Sequence, residues 1–523
     1  MVLASLPAAG GETRRESLVR SFWLVQEAQG GVSDVSAAID RLINDAERRE
    51  WPEVVLGGMY AACVVAREQG DDHLPEMIQR LYLRAQSEAD PAMVALALAL
   101  RAREAARSRE STASLAADAD LARATVLLES GQGGGLQRAS AHNSCAIVYG
   151  QRRLWELEDQ QYAAAEALRF DCRGSPLPTT VLYNRAELQL DWACALREIG
   201  DVDGVKEHWR TGAAVSAAAK QLTWMPHSWR REMEVNDLLF AAVGGADVAD
   251  EARALLTNES PGPQGPAGYL HLAIALSPGP PKVRAEAAER AIESIDPGLG
   301  PTEYDLALRV AAELEAADLN GQSAGLRCAQ RQIELRWGSR LSSLAAMGSL
   351  LQSERLRAEH DRLSRDAHLD DLTGLANRRG LNRYLTGLQQ RGTEELAVLV
   401  VDVDGLKQIN DHHGHSAGDD TLVALAAILT ANIRPGDLAV RLGGDEFAVI
   451  LADTDLLVAA RRADDIVAAM NARPWPHTKF RLAVTVSVGL AGGHLEQIDE
   501  ITARADAAMY EAKAAGGSRT VSA

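Results

Sequence analysis

The stretch LAVRLGGDEFAVIL, residues 438–451, sets the architecture of the C-terminal part of the chain. Apolar residues dominate positions 438–442 and 447–451, a pattern that predicts two short buried strands. Gly443 and Gly444 between them supply the positive φ angles of a tight hairpin and let a ligand approach the backbone closely. A hairpin needs only the glycines, so the turn itself does not explain the acidic pair Asp445 and Glu446.

A second acidic pair ends the apolar run 396–403, which predicts a buried strand. Asp402 and Asp404 stand two residues apart and therefore lie on one face at the end of this strand. Unpaired charge is costly there, so the carboxylates either cap the following segment or hold a cation such as Mg²⁺, which prefers oxygen ligands. If the hairpin lies beside this strand, Asp402, Asp445 and Glu446 converge on one pocket, and that density of charge requires metal.

Strands and helices alternate on both sides of these motifs. Helical periodicity covers 417–432 and 498–515, and a further strand is predicted at 483–490. Residues 369–523 are therefore predicted to form an α/β domain.

Residues 1–325 differ, because their Ala- and Leu-rich segments have helical periodicity and almost no strand-like alternation. Turn clusters at 131–135 and 260–268 separate these segments. Residues 186–219 resemble a degenerate tetratricopeptide helix pair, which predicts an all-α, helical-repeat-like region; an irregular helical bundle is the alternative. This region is expected to bind or sense a ligand, with a protein, a peptide and a small molecule all open.

Residues 326–368 are predicted to form one long linker helix. Two interpretations are open: a parallel dimeric coiled coil that joins the two regions, or a solvated helix lying on one of them. Both rest on an interrupted heptad stripe of Ile333, Trp337, Leu341, Leu344, Leu351, Leu356 and Leu363.

Composition excludes several classes of protein. The net charge of −19 over 523 residues would repel a nucleic-acid backbone, so a DNA or RNA polymer is not expected as a partner. The five cysteines all precede residue 369 and show no C-x-x-C spacing, which argues against a zinc site or a disulfide framework. The start lacks a basic n-region and no segment reaches the roughly 18 apolar residues of a membrane span, so a cytoplasmic protein is expected.

The motifs of the C-terminal domain resemble those of the GGDEF diguanylate cyclases in order and spacing. The signature is Gly443-Gly444-Asp445-Glu446-Phe447, and the other matching motifs are Asp371-Leu372-Thr373-Gly374-Leu375, Asn377-Arg378, Asp402-Val403-Asp404, Asn410-Asp411, Gly414-His415, Gly418-Asp419, Ser487-Val488-Gly489, Ala505-Asp506, Met509-Tyr510 and Ala512-Lys513. The resemblance covers residues 366–520. It implies a nucleotidyl cyclase-like fold and the condensation of two GTP into cyclic di-GMP and two pyrophosphates.

By position, the resemblance implies a Mg²⁺ or Mn²⁺ site formed by the carboxylates of Asp402, Asp445 and Glu446 and the main-chain carbonyl of Val403. Asp445 also matches the residue proposed to take the proton from the ribose 3′-hydroxyl, which is reasonable because a metal-bound carboxylate lies next to the attacking oxygen.

Substrate and product contacts follow from the same resemblance. Asn410 and Asp419 match the guanine readers, and Lys407 and Lys513 are placed to neutralise the triphosphate. Arg434 and Asp437, an R-x-x-D pattern five residues before the signature, match the site through which cyclic di-GMP inhibits its own synthesis. A homodimer is expected, because the product has two-fold symmetry and one domain holds one nucleotide.

Two departures bear on the affinity for GTP. Where many relatives have a phosphate-binding arginine four residues after the lysine, this chain has Gly517, with Arg519 nearby. Leu406 replaces the usual phenylalanine before Lys407.

Three functions follow from these observations. The intact signature and Asp402 favour an active cyclase. The alternatives are a receptor for GTP or cyclic di-GMP without turnover, and an interaction scaffold in which the cyclase is the output.

Overall fold

The computed structural model describes residues 13–29, 35–105, 111–222, 224–257, 266–298, 300–318, 323–473 and 484–523. The chain divides into two compact units, Met1–Arg355 and Leu356–Ala523. Most of the predicted turn cluster at 260–268, and the first residue of the predicted strand 483–490, lie outside the described residues. Among the residues that are described, no helix has the length and apolarity needed to cross a membrane.

The N-terminal unit is helical throughout its described part. Its helices are α1 Arg14–Gln29, α2 Val35–Arg48, α3 Pro52–Gln69, α4 Leu74–Ser87, α5 Pro91–Ala105, α6 Ser111–Glu129, α7 Gly135–Gln151, α8 Trp155–Ala167, α9 Leu177–Ile199, α10 Val202–Lys220, α11 His227–Val243, α12 Ala249–Leu256, α13 Ala267–Leu276, α14 Pro281–Ser294, α15 Pro301–Asp318 and α16 Ala324–Asp366, whose last turns belong to the second unit.

Most of these helices pack against the next one or two helices along the chain. For example, α5 contacts α4, α6 and α7, and α7 contacts α8 and α9. The interfaces are rich in fully buried alanines, such as Ala95, Ala99 and Ala146, which let the helices approach closely. The helical character of the region is confirmed, whereas its division into tetratricopeptide-like repeats stays a prediction.

The residues of the predicted heptad stripe fall into a packed set and an exposed set along α16. Trp337, Leu344 and Leu351 pack against the hydrophobic core of the N-terminal unit. In contrast, the side chains of Leu341, Leu356 and Leu363 are exposed. One face of the first part of the helix is therefore built into the N-terminal unit, and its last turns carry an exposed leucine pair, Leu356 and Leu363.

The C-terminal unit contains a mixed sheet with helices on both faces. Its elements are α17 Arg378–Arg391, β1 Glu395–Val403, α18 Leu406–His413, α19 His415–Ala431, β2 Leu438–Gly443, β3 Glu446–Ala452, α20 Leu456–Ala472, β4 Val486–His494, α21 Ile498–Ala514 and β5 Thr520–Ser522. In the described residues the strand order is β2-β3-β1-β4-β5, with antiparallel pairing except between β4 and β5.

Strand β1 lies at the centre of this sheet and is buried on both faces. Leu399 and Val401 belong to the core that α19 and α20 cover, whereas Val398 and Val400 belong to the core that α17 and α21 cover. Successive side chains of a strand point to opposite faces, which explains this alternation. Asp402, at the end of β1, is consequently buried.

Gly489 in β4 allows α21 to lie directly on the sheet. A Cβ atom at this position would overlap the carbonyl oxygen of Ala505 and the backbone nitrogen of Met509. Both atoms are backbone and cannot move aside without shifting the helix. The glycine of the Ser487-Val488-Gly489 motif therefore fixes the position of α21.

Gly489→Ala is expected to lower the stability of the C-terminal unit by about 1–3 kcal/mol, the usual cost of overpacking a core. Differential scanning calorimetry of the full chain measures the change. Gly387→Ala in α17 is the matched control, since its added methyl group meets no atom within 4 Å and alanine favours a helix. Equal unfolding temperatures for the two variants would contradict the close packing of α21.

Candidate active site

The β2–β3 hairpin places the acidic signature beside the end of β1. Asp402 of β1 lies opposite Glu446 of β3, and Gly443 of β2 pairs with the same Glu446 across the turn. Gly443 and Gly444 have φ angles of 152° and 55°, conformations that favour glycine. The register thus brings Asp402 and the acidic turn together, as the sequence predicted on condition that the two strands were neighbours.

Asp402 is a buried carboxylate that contacts a lysine. Its side chain forms an ion pair with Lys513 of α21, at 2.5 Å between Oδ1 and Nζ. Burial raises the pKa of Asp402 to about 6, and the charges of Asp445 and Asp404 also raise it, while Lys513 opposes the shift. The lysine predicted to bind triphosphate therefore neutralises the aspartate predicted to bind metal.

The predicted metal ligands are oxygen donors of the type that Mg²⁺ and Mn²⁺ prefer. Asp445 is half-buried, Glu446 is exposed and Val403 is buried at the strand end. Within the described ranges, no group of three or more His, Cys, Asp and Glu side chains is arranged to hold a metal ion. The donor chemistry fits a divalent cation, but the side chains are not gathered into a complete ligand shell.

Arg441 forms hydrogen bonds that hold the signature turn in place. Its Nε and Nη2 atoms donate to the carbonyl oxygen of Gly444, at 3.1 and 2.8 Å, and its Nη1 donates to Asp370 at 2.9 Å. Asp370 also accepts hydrogen bonds from the backbone and hydroxyl of Thr373. Burial alone would raise the pKa of Asp370, but the hydrogen bonds from Thr373 and Arg441 lower it below the ordinary value.

The sequence motifs assign no role to Arg441 and Asp370. The available signal was an arginine within an otherwise apolar strand, directly before the turn. The ion pair connects the turn to the Asp371-Leu372-Thr373-Gly374-Leu375 motif and fixes the backbone that presents Asp445.

Asp404 accepts hydrogen bonds from groups at the start of β4 and just before β5. It accepts hydrogen bonds from the hydroxyls of Thr485 and Ser487, at 2.6 and 2.7 Å, and from the backbone of Ser518 at 3.0 Å. These partners do not lie in the segment that follows Asp404, so these hydrogen bonds are not the predicted cap of that segment.

The same carboxylate explains the glycine that replaces the usual arginine at position 517. Gly517 has a φ of 71°, and a Cβ atom there would lie 2.8 Å from Asp404 Oδ2. The position therefore excludes a side chain without rearrangement. Arg519 turns back to donate to the Gly517 carbonyl oxygen at 3.1 Å.

The predicted guanine readers lie on consecutive helices. Asn410 in α18 packs against Gly418 in α19, where a Cβ atom would overlap the amide of Asn410. Its Oδ1 atom is buried and has no hydrogen-bond partner among the described residues. Asp419 is exposed in α19, one residue beyond Gly418, and Lys407 is exposed in α18. An unpaired buried acceptor beside an exposed carboxylate suits a ligand edge that carries N–H donors.

The predicted product site lies at the opposite end of β2 from the signature turn, about 20 Å away for six residues of strand. Arg434 Nη2 donates to the carbonyl oxygen of Ala452 at 2.6 Å and to the Thr454 hydroxyl at 3.1 Å. Asp437 has a side chain only 1% exposed and accepts a hydrogen bond from the backbone of Arg434. Arg434 is half-exposed and open to a ligand, whereas Asp437 is enclosed in this conformation.

Comparison with known proteins places the C-terminal domain in a family. The family model described as "Diguanylate cyclase, GGDEF domain" matches residues 367–519. The response regulator PleD of Caulobacter vibrioides (strain NA1000 / CB15N) is 37% identical over 176 residues, covering 32% of this chain and 39% of the relative. The diguanylate cyclase TpbB of Pseudomonas aeruginosa (strain UCBPP-PA14) is 41% identical over 173 residues, covering 32% of this chain and 40% of the relative. The chain thus spans about two fifths of the length of these relatives.

Two solved structures are also similar. The coiled coil and GGDEF domain of DgcB from Caulobacter crescentus, in complex with c-di-GMP, is 30% identical and covers 36% of this chain and 99% of that chain, with a TM-score of 0.32. The diguanylate cyclase SiaD of Pseudomonas aeruginosa, in complex with its activator SiaC, is 29% identical and covers 46% of this chain and 99% of that chain, with a TM-score of 0.33. The family match confirms the GGDEF domain predicted from the sequence.

Proposed function

We propose that this chain, whose residues 367–519 match the GGDEF domain model, is an active diguanylate cyclase. The observation that carries the proposal is the register of β1 and β3, which sets the buried Asp402 opposite Glu446 beside the turn that presents Asp445. In the reaction, the 3′-oxygen of each GTP forms a bond to the α-phosphorus of the other, and pyrophosphate leaves from each. The hydroxyl proton goes to the carboxylate of Asp445.

The side chains of Asp402, Asp445 and Glu446 and the carbonyl of Val403 would hold Mg²⁺ or Mn²⁺. The cation supplies positive charge that stabilises the phosphates and lowers the pKa of the attacking hydroxyl. Lys513, which contacts the Asp402 carboxylate, would neutralise charge on the triphosphate. Lys407 offers a second, exposed ammonium group. Arg441 positions Asp445 through the Gly444 carbonyl.

Asn410 and Asp419 provide the preference for guanine. Guanine presents N1–H and an exocyclic amine as donors, which Asp419 and the unpaired Asn410 Oδ1 can accept. Adenine presents a bare N1 acceptor at the same edge and would leave these oxygens unpaired. Sites built to hydrogen-bond a donor reject the analogue without it by orders of magnitude.

Incubation of the purified full chain with GTP and Mg²⁺, followed by chromatographic detection of cyclic di-GMP, tests the proposal. Product from GTP and none from ATP is expected. Binding of GTP without any product would instead favour the receptor alternative.

The proposal also covers the oligomeric state, the location and the regulation of the cyclase. The catalytic state is a cytoplasmic homodimer, because the product is two-fold symmetric and GTP is a cytoplasmic substrate. The helical N-terminal unit senses a ligand and regulates the cyclase.

Arg434→Ala is expected to relieve inhibition by added cyclic di-GMP and to leave the initial rate nearly unchanged, since the site lies far from the signature turn. The arginine fork suits a phosphate or a guanine edge. Initial rates at increasing cyclic di-GMP concentration measure the effect, and Arg461→Ala, which removes an exposed arginine of α20, is the control. If the inhibition curve of Arg434→Ala is unchanged, Arg434 does not bind the product and serves only to contact the end of β3.

A further inference from the structure

The N-terminal unit contains a cavity of about 410 Å³ with two arginines in its wall. Helices α1, α3, α5, α7 and α9 line most of it. Its apolar lining includes Phe22, Tyr60 and Leu100. Cavities of this size hold small organic ligands.

Arg103 is the unusual member of this wall. It makes no hydrogen bond or ion pair with any residue that the structure describes. Burial lowers the pKa of Arg103, and the charge of Arg67 lowers it further, against weaker opposite effects of Tyr60, Glu104 and Glu68. Arg103 is partly buried in the cavity wall, and a guanidinium that is partly withdrawn from water without an ion-pair partner favours the approach of a negative group.

Arg67, Arg103 and Glu68 together set the net charge of the cavity. The side chain of Arg67 is 10% exposed and forms an ion pair with Glu68 at 2.9 Å. The two arginines and Glu68, all in the lining, therefore carry one net positive charge. That balance matches a carboxylate, with one negative charge, better than a phosphate monoester, with nearly two.

Asn143 of α7 adds a further donor to the lining. The carboxamide oxygen of Asn143 accepts a hydrogen bond from Asn184 at 3.2 Å, while the Asn143 amide nitrogen has no hydrogen-bond partner among the described residues. Both asparagines line the cavity. The Asn143 amide is therefore a further donor that an oxyanion in the cavity could use.

We propose that this cavity binds a small organic acid, whose carboxylate pairs with Arg103 and Arg67 and whose apolar body packs on Phe22 and Tyr60. The site is independent of the cyclase reaction, and its test does not require turnover.

Isothermal titration of the full chain with 3-phenylpropionate as the probe tests the proposal. Binding is expected for the acid and for N-acetylphenylalanine if the cavity also admits a peptide-like carboxylate, but not for the uncharged 3-phenylpropionamide. Binding of 3-phenylpropionate without binding of N-acetylphenylalanine would indicate that the natural ligand is a free small molecule and not a peptide-like carboxylate. Failure of both acids to bind at up to about 10 mM, a very weak affinity, would overturn the proposal. Tighter binding of phenyl phosphate would overturn the choice of a carboxylate.

Arg103→Gln is expected to weaken binding by about ten- to a hundredfold, the effect of losing charged hydrogen bonds. Arg101→Gln is the matched control on the same helix, because that side chain pairs with Asp120 instead of lining the cavity. Without ligand, Arg103→Gln should unfold at the same temperature as the unmodified chain or higher, since it removes a partly buried charge. A lower unfolding temperature together with unchanged binding would make Arg103 a structural residue and sink the proposal.

Discussion

Asp445→Asn is expected to reduce cyclic di-GMP formation by at least about 10³-fold, within the range that a general base alone contributes. The substitution keeps the volume of the side chain and removes both its charge and its ability to accept the hydroxyl proton. It also removes a proposed metal ligand next to Asp402, whose pKa the charge of Asp445 helps to raise. The hairpin should persist, because Arg441 holds it through the Gly444 carbonyl and not through Asp445.

Single-turnover assays with GTP and Mg²⁺ measure this loss, and calorimetry verifies that the unfolding temperature is retained. Asp465→Asn, which removes an exposed carboxylate of α20, is the charge-matched control and should keep full activity. Activity of Asp445→Asn close to that of the unmodified chain would remove Asp445 from the proposed mechanism.

Local patterns predicted four strands and two helices of the C-terminal unit, whereas α17, α18, α20 and β5 were not predicted. The run 396–403 and the hairpin 438–451 appear as β1, β2 and β3 with boundaries within two residues, because strand periodicity and turn glycines act over short distances. Strand β4 was predicted at 483–490 and extends over Val486–His494, since Gly492 and Gly493 give no apolar signal. The pairing of β1 with β3 joins residues more than 40 positions apart and could only be stated as a condition.

The contacts that the sequence did not reveal are long-range pairs between charged groups. Lys513 contacts Asp402 because α21 lies on Gly489, and neither the helix position nor the partner is encoded near the lysine. Asp437 likewise gains a partner from a distant helix, since Arg462 of α20 lies 3.8 Å from its carboxylate, in addition to Arg434 three residues before it. Both cases show that a motif names the residue type and that tertiary packing determines its partner.

The heptad stripe of α16 shows the same limit for apolar residues. A heptad stripe shows only that one face of a helix is apolar. That face can pack equally well on the core of the same chain or on the helix of a second copy. Trp337, Leu344 and Leu351 use that face within the N-terminal unit. Of the three exposed members, Leu356 and Leu363 lie one heptad apart near the end of the helix, at 65% and 55% exposure, and are left for a partner helix, whereas Leu341 lies in another register.

The double substitution Leu356→Asp and Leu363→Asp is therefore expected to weaken the proposed homodimer by about 10²-fold or more, since burial of each leucine contributes about 1.5–3 kcal/mol and the new charges repel. Each active site needs a nucleotide held by the other domain, so specific activity should fall steeply on dilution and recover at high protein concentration. Sedimentation and activity measured over the same dilution series test this together. Leu341→Asp, on the same helix and 54% exposed but outside the heptad register of Leu356, should behave like the unmodified chain. A double variant that sediments as a monomer and keeps full activity at every dilution would show that catalysis does not require the dimer.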